Sequence, residues 1–299
     1  MVTNGSEDGT RPADAGRVPS GSEATGPGPA GNGDAPLLRL ENIGKSFGPV
    51  QALTGINLDI PAGQVTALAG DNGAGQSTLI KCIAGIWQPT TGQLVWRGKP
   101  AHLHSPRDAT NLGIATVYQD LALADNLDIV QNILLGHELT RFGLLDEINM
   151  ELTAKKTLAD LRVTTVRSIR QPVGSLSGGQ RQAVAVAKAV LLDAELVIMD
   201  EPTAALGVTQ TELVLSLIER LASLGHAVLV VSHNLTDVFR VADRIAVLYL
   251  GRLAAVGPKA EFDTASVVDL MTTGASARLH NGDGGEPAAS GNVSSGAEG

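Results

Sequence analysis

The sequence predicts an α/β fold, and three strand ends carry the prediction. Residues 65–69 are a short apolar run that enters the glycine-rich stretch Gly70-Asp71-Asn72-Gly73-Ala74-Gly75-Gln76-Ser77-Thr78. Residues 196–199 form a second apolar run that ends in Asp200-Glu201, and residues 227–231 a third that ends in Ser232-His233. Short, continuous apolar runs that each deliver polar side chains at one end read as buried strands.

The first run is bounded by Pro61 and Gly63, and residues 77–84 after the glycines place apolar side chains at 79, 80, 83 and 84 on one helical face. Strand, glycine turn and helix start occur in the order of a phosphate-cradling P-loop. The spacing is G-x-x-x-x-G-K-[ST], with Gln76 where the pattern requires lysine. Glycine can adopt backbone angles closed to other residues, so successive N–H groups can turn inward onto phosphate oxygens. The helix N-terminus adds partial positive charge at the same place. Ser77 would offer its hydroxyl to Mg²⁺ and Thr78 would donate toward the α-phosphate. Taken alone, the stretch is equally a glycine-rich turn between a strand and a helix.

Asp200-Glu201 at a strand tip supplies what such a loop lacks, one carboxylate to hold Mg²⁺ and another to polarise the attacking water. A solvated acidic turn is the alternative. His233 either sits at the ligand-binding edge of the same sheet or caps the following helix. Before the acidic strand, Ser175-Leu176-Ser177-Gly178-Gly179-Gln180-Arg181-Gln182 precedes an apolar helix over 183–191. Ser177 is a candidate N-cap, and Gly178 and Gly179 allow close approach of an anion to backbone N–H groups.

Composition narrows the class. Of 299 residues, 1–35 and 275–299 are rich in small and polar residues, and both read as disordered tails that cannot bury enough apolar surface to order. Residues 36–274 are long enough for one large α/β domain. The first residues lack the basic start and apolar core of a secretory signal. The most apolar stretch, 183–199, carries Lys188, Asp193 and Glu195, so no transmembrane span is expected. The single cysteine, Cys82, excludes an internal disulfide framework and falls on the apolar face of the first helix. A net charge of −9 disfavours nonspecific nucleic-acid binding. His102, His104, His137 and His226 lack partners at metal-ligand spacing, and Trp87 and Trp96 read as packing residues.

Leu176-Ser177-Gly178-Gly179-Gln180 resembles the signature motif of ATP-binding-cassette (ABC) ATPases, and the order P-loop, Gln119, signature, Asp200-Glu201, His233 fits that family. The resemblance covers about residues 37–274. It implies a P-loop NTPase fold of the ABC ATPase type, with a RecA-like core, an antiparallel β subdomain and a helical subdomain over about 120–182. It also implies roles. Phe47 would stack on adenine, and Gly70, Asn72, Gly73, Ala74, Gly75, Gln76, Ser77 and Thr78 would hold the phosphates of ATP. Ser177 and Gly179 would contact the γ-phosphate held by the opposite subunit, with Gly178 and Gln180 also among the nucleotide-binding residues. Ser77, Gln119 and Asp200 would hold Mg²⁺. Gln119 would also link the nucleotide to the helical subdomain, Glu201 would act on the water and His233 would sense the γ-phosphate. Gly207 stands where the family's loop commonly has aspartate, which weakens the expectation of cross-dimer contacts there.

Residues 117–127, with Gly70-Asp71-Asn72-Gly73 and Glu201 to Val208, are similar to the ATPases of simple-sugar importers. The implied setting is the cytoplasmic face of a membrane, with a transmembrane permease, a second ATP-binding subunit (another copy or a homologue) and, indirectly, an extracytoplasmic solute-binding protein.

Glutamine is shorter than lysine and neutral, so Gln76 keeps a hydrogen bond but not the charge that reaches the β- and γ-phosphates. Hydrogen bonds to charged groups are worth about 1.5–3 kcal/mol. Losing part of one weakens ATP binding by roughly one to two orders of magnitude. Hydrolysis should suffer more, because charge builds on the same oxygens as the reaction proceeds. Lys81 lies about 7–8 Å further along the helix and is not expected to replace the missing charge. Two readings stay open: an importer ATPase of reduced rate, or a nucleotide-binding regulatory subunit without useful hydrolysis.

Overall fold

The computed structural model describes residues 35–276. The tail expectations for 1–34 and 277–299 lie outside them. Within them, Ser276, expected in a tail, is buried just past the last helix.

The chain opens with β1 (Leu38–Phe47) and β2 (Val50–Ile60), then crosses the core as β3 (Val65–Gly70) and turns into α1 (Gln76–Ile83). It returns to the free edge of β1 as β4 (Thr91–Trp96), extended by β5 (Lys99–Ala101), giving a four-stranded antiparallel sheet in the order β2-β1-β4-β5. A short α2 (Pro106–Asn111) leads into β6 (Ile114–Val117). A mostly helical excursion follows: α3 (Ile129–Leu134), a small hairpin of β7 (Thr140–Arg141) and β8 (Leu144–Leu145), α4 (Glu147–Asp160) and α5 (Gly178–Leu191). The chain then completes the second sheet with β9 (Leu196–Asp200), α6 (Val208–Ser223), β10 (Ala227–Ser232), α7 (Leu235–Val241), β11 (Arg244–Tyr249), β12 (Arg252–Pro258) and α8 (Thr264–Thr273).

That second sheet has six strands in the order β12-β11-β3-β10-β9-β6. All pairings are parallel except β11 with β12. The continuous apolar runs have a reason in this sheet, because both of its faces are covered. Along β9, Val197 and Met199 join the core formed with α3, α4, α5 and α6, while Leu196 and Ile198 face the core shared with α1 and the antiparallel sheet. On β3, Leu68 faces α1, and Ala67 and Ala69 face α7 and α8. Alternate residues thus serve opposite layers, and a polar residue would be costly on either side.

Caps set the helix starts. Ser177, Asp128, Asp263 and Ser105 each close a capping box with the residue three positions on. The Ser177 box moves the start of α5 to Gly178, five residues before the expected 183. Glycine's low helix propensity hides this first turn, but Ser177 and Gln180 close it, with Gln180 N–H donating to Ser177 Oγ at 3.4 Å and Ser177 N–H donating to Gln180 Oε1 at 3.0 Å.

Candidate functional site

Parallel pairing puts the ends of β3, β10 and β9 side by side, so the loops after Gly70, Ser232 and Asp200 share one edge of the sheet. In the first loop, Gly73 and Gly75 have φ of 85° and 107°. Gly75 is the N-cap of α1 with no side-chain cap, so the first N–H groups of this helix have no side-chain acceptor from the capping position. A Cβ on Gly75 would lie 3.0 Å from Leu53 Cδ2 and 3.1 Å from the Ala52 carbonyl oxygen. Both backbone angle and space therefore demand glycine. The loop borders an open cavity of about 460 Å³ lined by Gln51, Asn72, Gly73, Gly75, Gln76, Ser77 and Thr78 among others.

Gln76 does not project its amide freely into this cavity. Its Nε2 donates to the Leu68 carbonyl on β3 at 3.0 Å. The sequence suggested an amide available to phosphate; the observed amide already has a backbone partner.

The loop after Asp200 is joined to the loop after Ser232 through Glu201. Glu201 Oε1 accepts from the backbone N–H of His233 at 3.2 Å and lies 2.7 Å from His233 Nδ1, and Glu201 N–H donates to Val231 at 2.9 Å. Glu201 sits at φ 47°, an uncommon conformation for a residue with a side chain. His233 does not cap α7; Asn234 does, accepting from Thr236 N–H. The Asp200 carboxyl is pushed above the usual range, first by burial and then by the charge of Glu201, with Lys81 partly opposing the rise. The Lys81 ammonium itself lies 4.6 Å over the Trp87 ring, and Trp87 meets the Phe47 ring edge-on at 4.7 Å. Phe47 is thus braced by a packing tryptophan beside the P-loop cavity rather than among its lining residues.

Gln119, exposed after β6, lines a different cavity with Gly178, Arg181, Gln182, Glu201 and Leu206. The P-loop and the signature segment therefore border separate cavities of this chain. Glycine at 178 and 179 has a packing reason as well. A Cβ at Gly178 would lie 2.6 Å from Leu206 Cδ2, and one at Gly179 would lie 3.2 Å from the Gln210 carbonyl. The side chain of Gln180 is committed to its cap and to the Thr165 carbonyl at 2.7 Å.

A buried network escaped the sequence reading. Asp237 Oδ2 accepts from Thr203 Oγ1 at 2.6 Å and from Asn234 Nδ2 at 3.0 Å, tying the segment after Glu201 to the segment after His233. Residues 203 and 237 are 34 apart, and no local pattern pairs them. Of the remaining histidines, His226 Nδ1 lies 2.7 Å from the Ala194 carbonyl and His104 Nδ1 2.7 Å from Gln88. Among the described residues no group of three or more His, Cys, Asp and Glu could hold a metal, and no helix is long and apolar enough to cross a membrane.

Residues 53–204 match the family model described as "ABC transporter". A xylose/arabinose import ATP-binding protein from Sulfolobus acidocaldarius is 44% identical over 247 residues, which cover 83% of this chain and 98% of that protein. The chain belongs to the ABC transporter ATP-binding family. A fructose import ATP-binding protein from Rhizobium meliloti is 42% identical, over 79% of the cassette and 94% of its own length. A ribose import ATP-binding protein from a Jannaschia species is 40% identical, but the cassette spans only 46% of its length. Among solved structures, a cassette in its ADP conformation superposes with a TM-score of 0.69 at 25% identity, covering 83% of this chain and 99% of that one. A nucleotide-free cassette gives 0.65 at 27% identity, covering 74% and 91%. The six-stranded sheet is the RecA-like core of an ABC ATPase and the excursion around α3, α4 and α5 is its helical subdomain.

Proposed function

We propose that this cassette is the ATP-binding subunit of a simple-sugar importer, and that Gln76 slows its turnover. The observation that carries the reading is the Glu201–His233 pair, held at 2.7 Å on the strand edge beside the P-loop. A subunit that only bound nucleotide would not need a histidine-oriented carboxylate there. Similarity along nearly the full length of a xylose/arabinose and a fructose import ATP-binding protein supports the transport setting. In that setting it docks at the cytoplasmic face of the membrane with a permease and a second ATP-binding subunit, and an extracytoplasmic solute-binding protein acts indirectly.

The substrate is ATP. Phe47, braced by Trp87, offers a ring to adenine, while Gly70, Asn72, Gly73, Ala74, Gly75, Ser77 and Thr78 present backbone and hydroxyl donors to its phosphates. Gly178 borders a separate cavity with Gln119, Arg181 and Gln182, which supports the use of Ser177, Gly178, Gly179 and Gln180 on ATP held by the second subunit. The residues fit Mg²⁺. Ser77, Gln119 and Asp200 are hard oxygen donors; burial beside Glu201 disfavours the ionised Asp200 carboxyl, a penalty a bound cation would offset, while Gln119 lines the other cavity. Few protein oxygens suffice, since Mg²⁺ usually takes the rest from phosphates and water. Bound, it would neutralise charge developing on the phosphate oxygens. Glu201 accepts the proton of the attacking water, and His233, hydrogen-bonded to it, holds that carboxylate in one orientation.

Gln76 supports a second reading, a regulatory subunit that binds ATP without useful hydrolysis, because its amide is already engaged by Leu68. ATPase assays of the purified chain, alone and with inverted membrane vesicles from cells that encode it, separate the two. Slow but vesicle-stimulated hydrolysis supports the importer ATPase; saturable ATP binding with no hydrolysis in either condition supports the regulatory subunit.

A further inference from the structure

Beside the glycine loop, the P-loop cavity is lined by Val50, the first residue of β2, and by Leu250 and Gly251, the two-residue turn between β11 and β12. Val50 is 61% exposed and Leu250 70%. Two-residue hairpin turns need positive φ at both positions and prefer Asn-Gly. Here φ is 44° at Leu250 and 77° at Gly251. Gly251 has a packing reason, since a Cβ would lie 2.5 Å from the Ala52 carbonyl oxygen. Leu250 has none: a bulky residue at positive φ is an outlier, and its side chain joins none of the buried cores. Arg97-Gly98 between β4 and β5 and Phe142-Gly143 between β7 and β8 break the same rule, but neither turn lines this cavity.

The Leu250 turn is pinned to the phosphate cradle. Gly251 N–H donates to the Ala74 carbonyl inside the P-loop at 2.8 Å, and the Gly251 carbonyl accepts from Thr54 N–H on β2 at 2.8 Å. On the other side, Val50 is the cross-strand partner of Phe47, so the two side chains share one face of the β1–β2 hairpin. Exposed apolar surface therefore continues from the Phe47 ring through Val50 to the cavity that Leu250 also lines. The neighbouring polar side chain, Gln51, is committed elsewhere: its Nε2 donates to the Leu53 carbonyl and its Oε1 accepts from Ser46 Oγ. ATP presents its chemistry in the same order. Backbone donors meet the phosphates, an aromatic ring meets the base, and the ribose between them offers C–H surface to aliphatic walls.

We propose that Leu250, together with Val50, is a nucleotide-binding residue whose side chain packs on the ribose of ATP held in the P-loop. The proposal rests on the ATP-binding reading, and the strained turn is kept for its ligand contact rather than for the fold. Leu250→Asn and Leu250→Gly both place a preferred residue at the turn, so each variant melts at or above the native temperature. Isothermal titration calorimetry with Mg²⁺-ATP and with Mg²⁺-tripolyphosphate, which has the phosphates but no ribose or base, separates wall from cradle. Both variants should bind Mg²⁺-ATP about five- to tenfold more weakly, as expected when roughly half the burial of a leucine side chain is lost. Their affinity for tripolyphosphate should stay native. Phe142→Asn relieves the same strain in a hairpin away from the cavity and should leave both affinities unchanged. Native ATP affinity in either Leu250 variant would overturn the contact and leave the ATP-binding reading standing. So would a loss of tripolyphosphate affinity as large as the loss for ATP, since the turn would then act by disturbing Ala74 and the P-loop. A native chain that binds no ATP would overturn the reading and the contact together.

Discussion

The P-loop and the Glu201–His233 edge occupy neighbouring strand ends, yet they differ in how completely they are built. The acidic edge is tied together by side chains: Glu201 takes two hydrogen bonds from His233, and Asp237 clamps Thr203 and Asn234. The P-loop keeps its backbone cradle and its two left-handed glycines, but the one side chain that should reach the phosphates is folded onto Leu68. A P-loop can thus keep its shape while losing its charge, because backbone angles and side-chain chemistry are set by different residues.

The largest effect should come from the finished side. Glu201→Gln removes the carboxylate that takes the proton and should lower turnover by about 100-fold or more. The assay is steady-state phosphate release in a Gln76→Lys background, and a loss below about tenfold would mean the acidic edge is not the working half. Gly178→Ala drives a Cβ to within 2.6 Å of Leu206 where α5 meets the segment after Glu201. Because Leu206 Cδ2 is the free end of a half-buried side chain that can move aside, and alanine favours the helix, the net cost should be at most about 1 kcal/mol, readable by urea denaturation. Thr203→Val leaves the buried Asp237 with Asn234 as its remaining side-chain donor. The expected cost is about 1 kcal/mol, with Thr203→Ser restoring native stability. The smallest effect is one of pH. Because the Asp200 carboxyl is raised, its protonated form persists to higher pH than for an ordinary aspartate. Affinity for Mg²⁺-ATP is therefore full well above that raised value and declines as pH falls through it, whereas Asp200→Asn should give a weaker but flatter profile. A native profile as flat as that of the variant would show that Asp200 does not hold the metal.

The legible parts of this molecule were those written locally. Strands at 65, 196 and 227 announce themselves because a sheet covered on both faces needs apolar residues at consecutive positions, and their polar tips follow directly. Cys82 was legible for the same reason: it is buried in the core, and burial pushes its thiol to about 11. The first turn of α5 was hidden by two glycines, although the Ser177–Gln180 box was there to be read. The Thr203–Asp237 bond and the bracing of Phe47 by Trp87 join residues far apart in sequence, so only the fold could show them. The Phe142 hairpin was illegible because phenylalanine stands where turn chemistry calls for asparagine. The direction of the Gln76 side chain is a matter of rotamer and neighbour, beyond any motif.

The central claim is that one neutral side chain, not the catalytic edge, limits this cassette. ATP hydrolysis by Gln76→Lys and by the native chain, measured side by side under identical conditions, tests it most directly. Restoring the charge should tighten ATP binding by roughly one to two orders of magnitude and raise turnover by a larger factor, as expected for charge that grows in the transition state. A lysine variant no faster than the native chain would contradict the account.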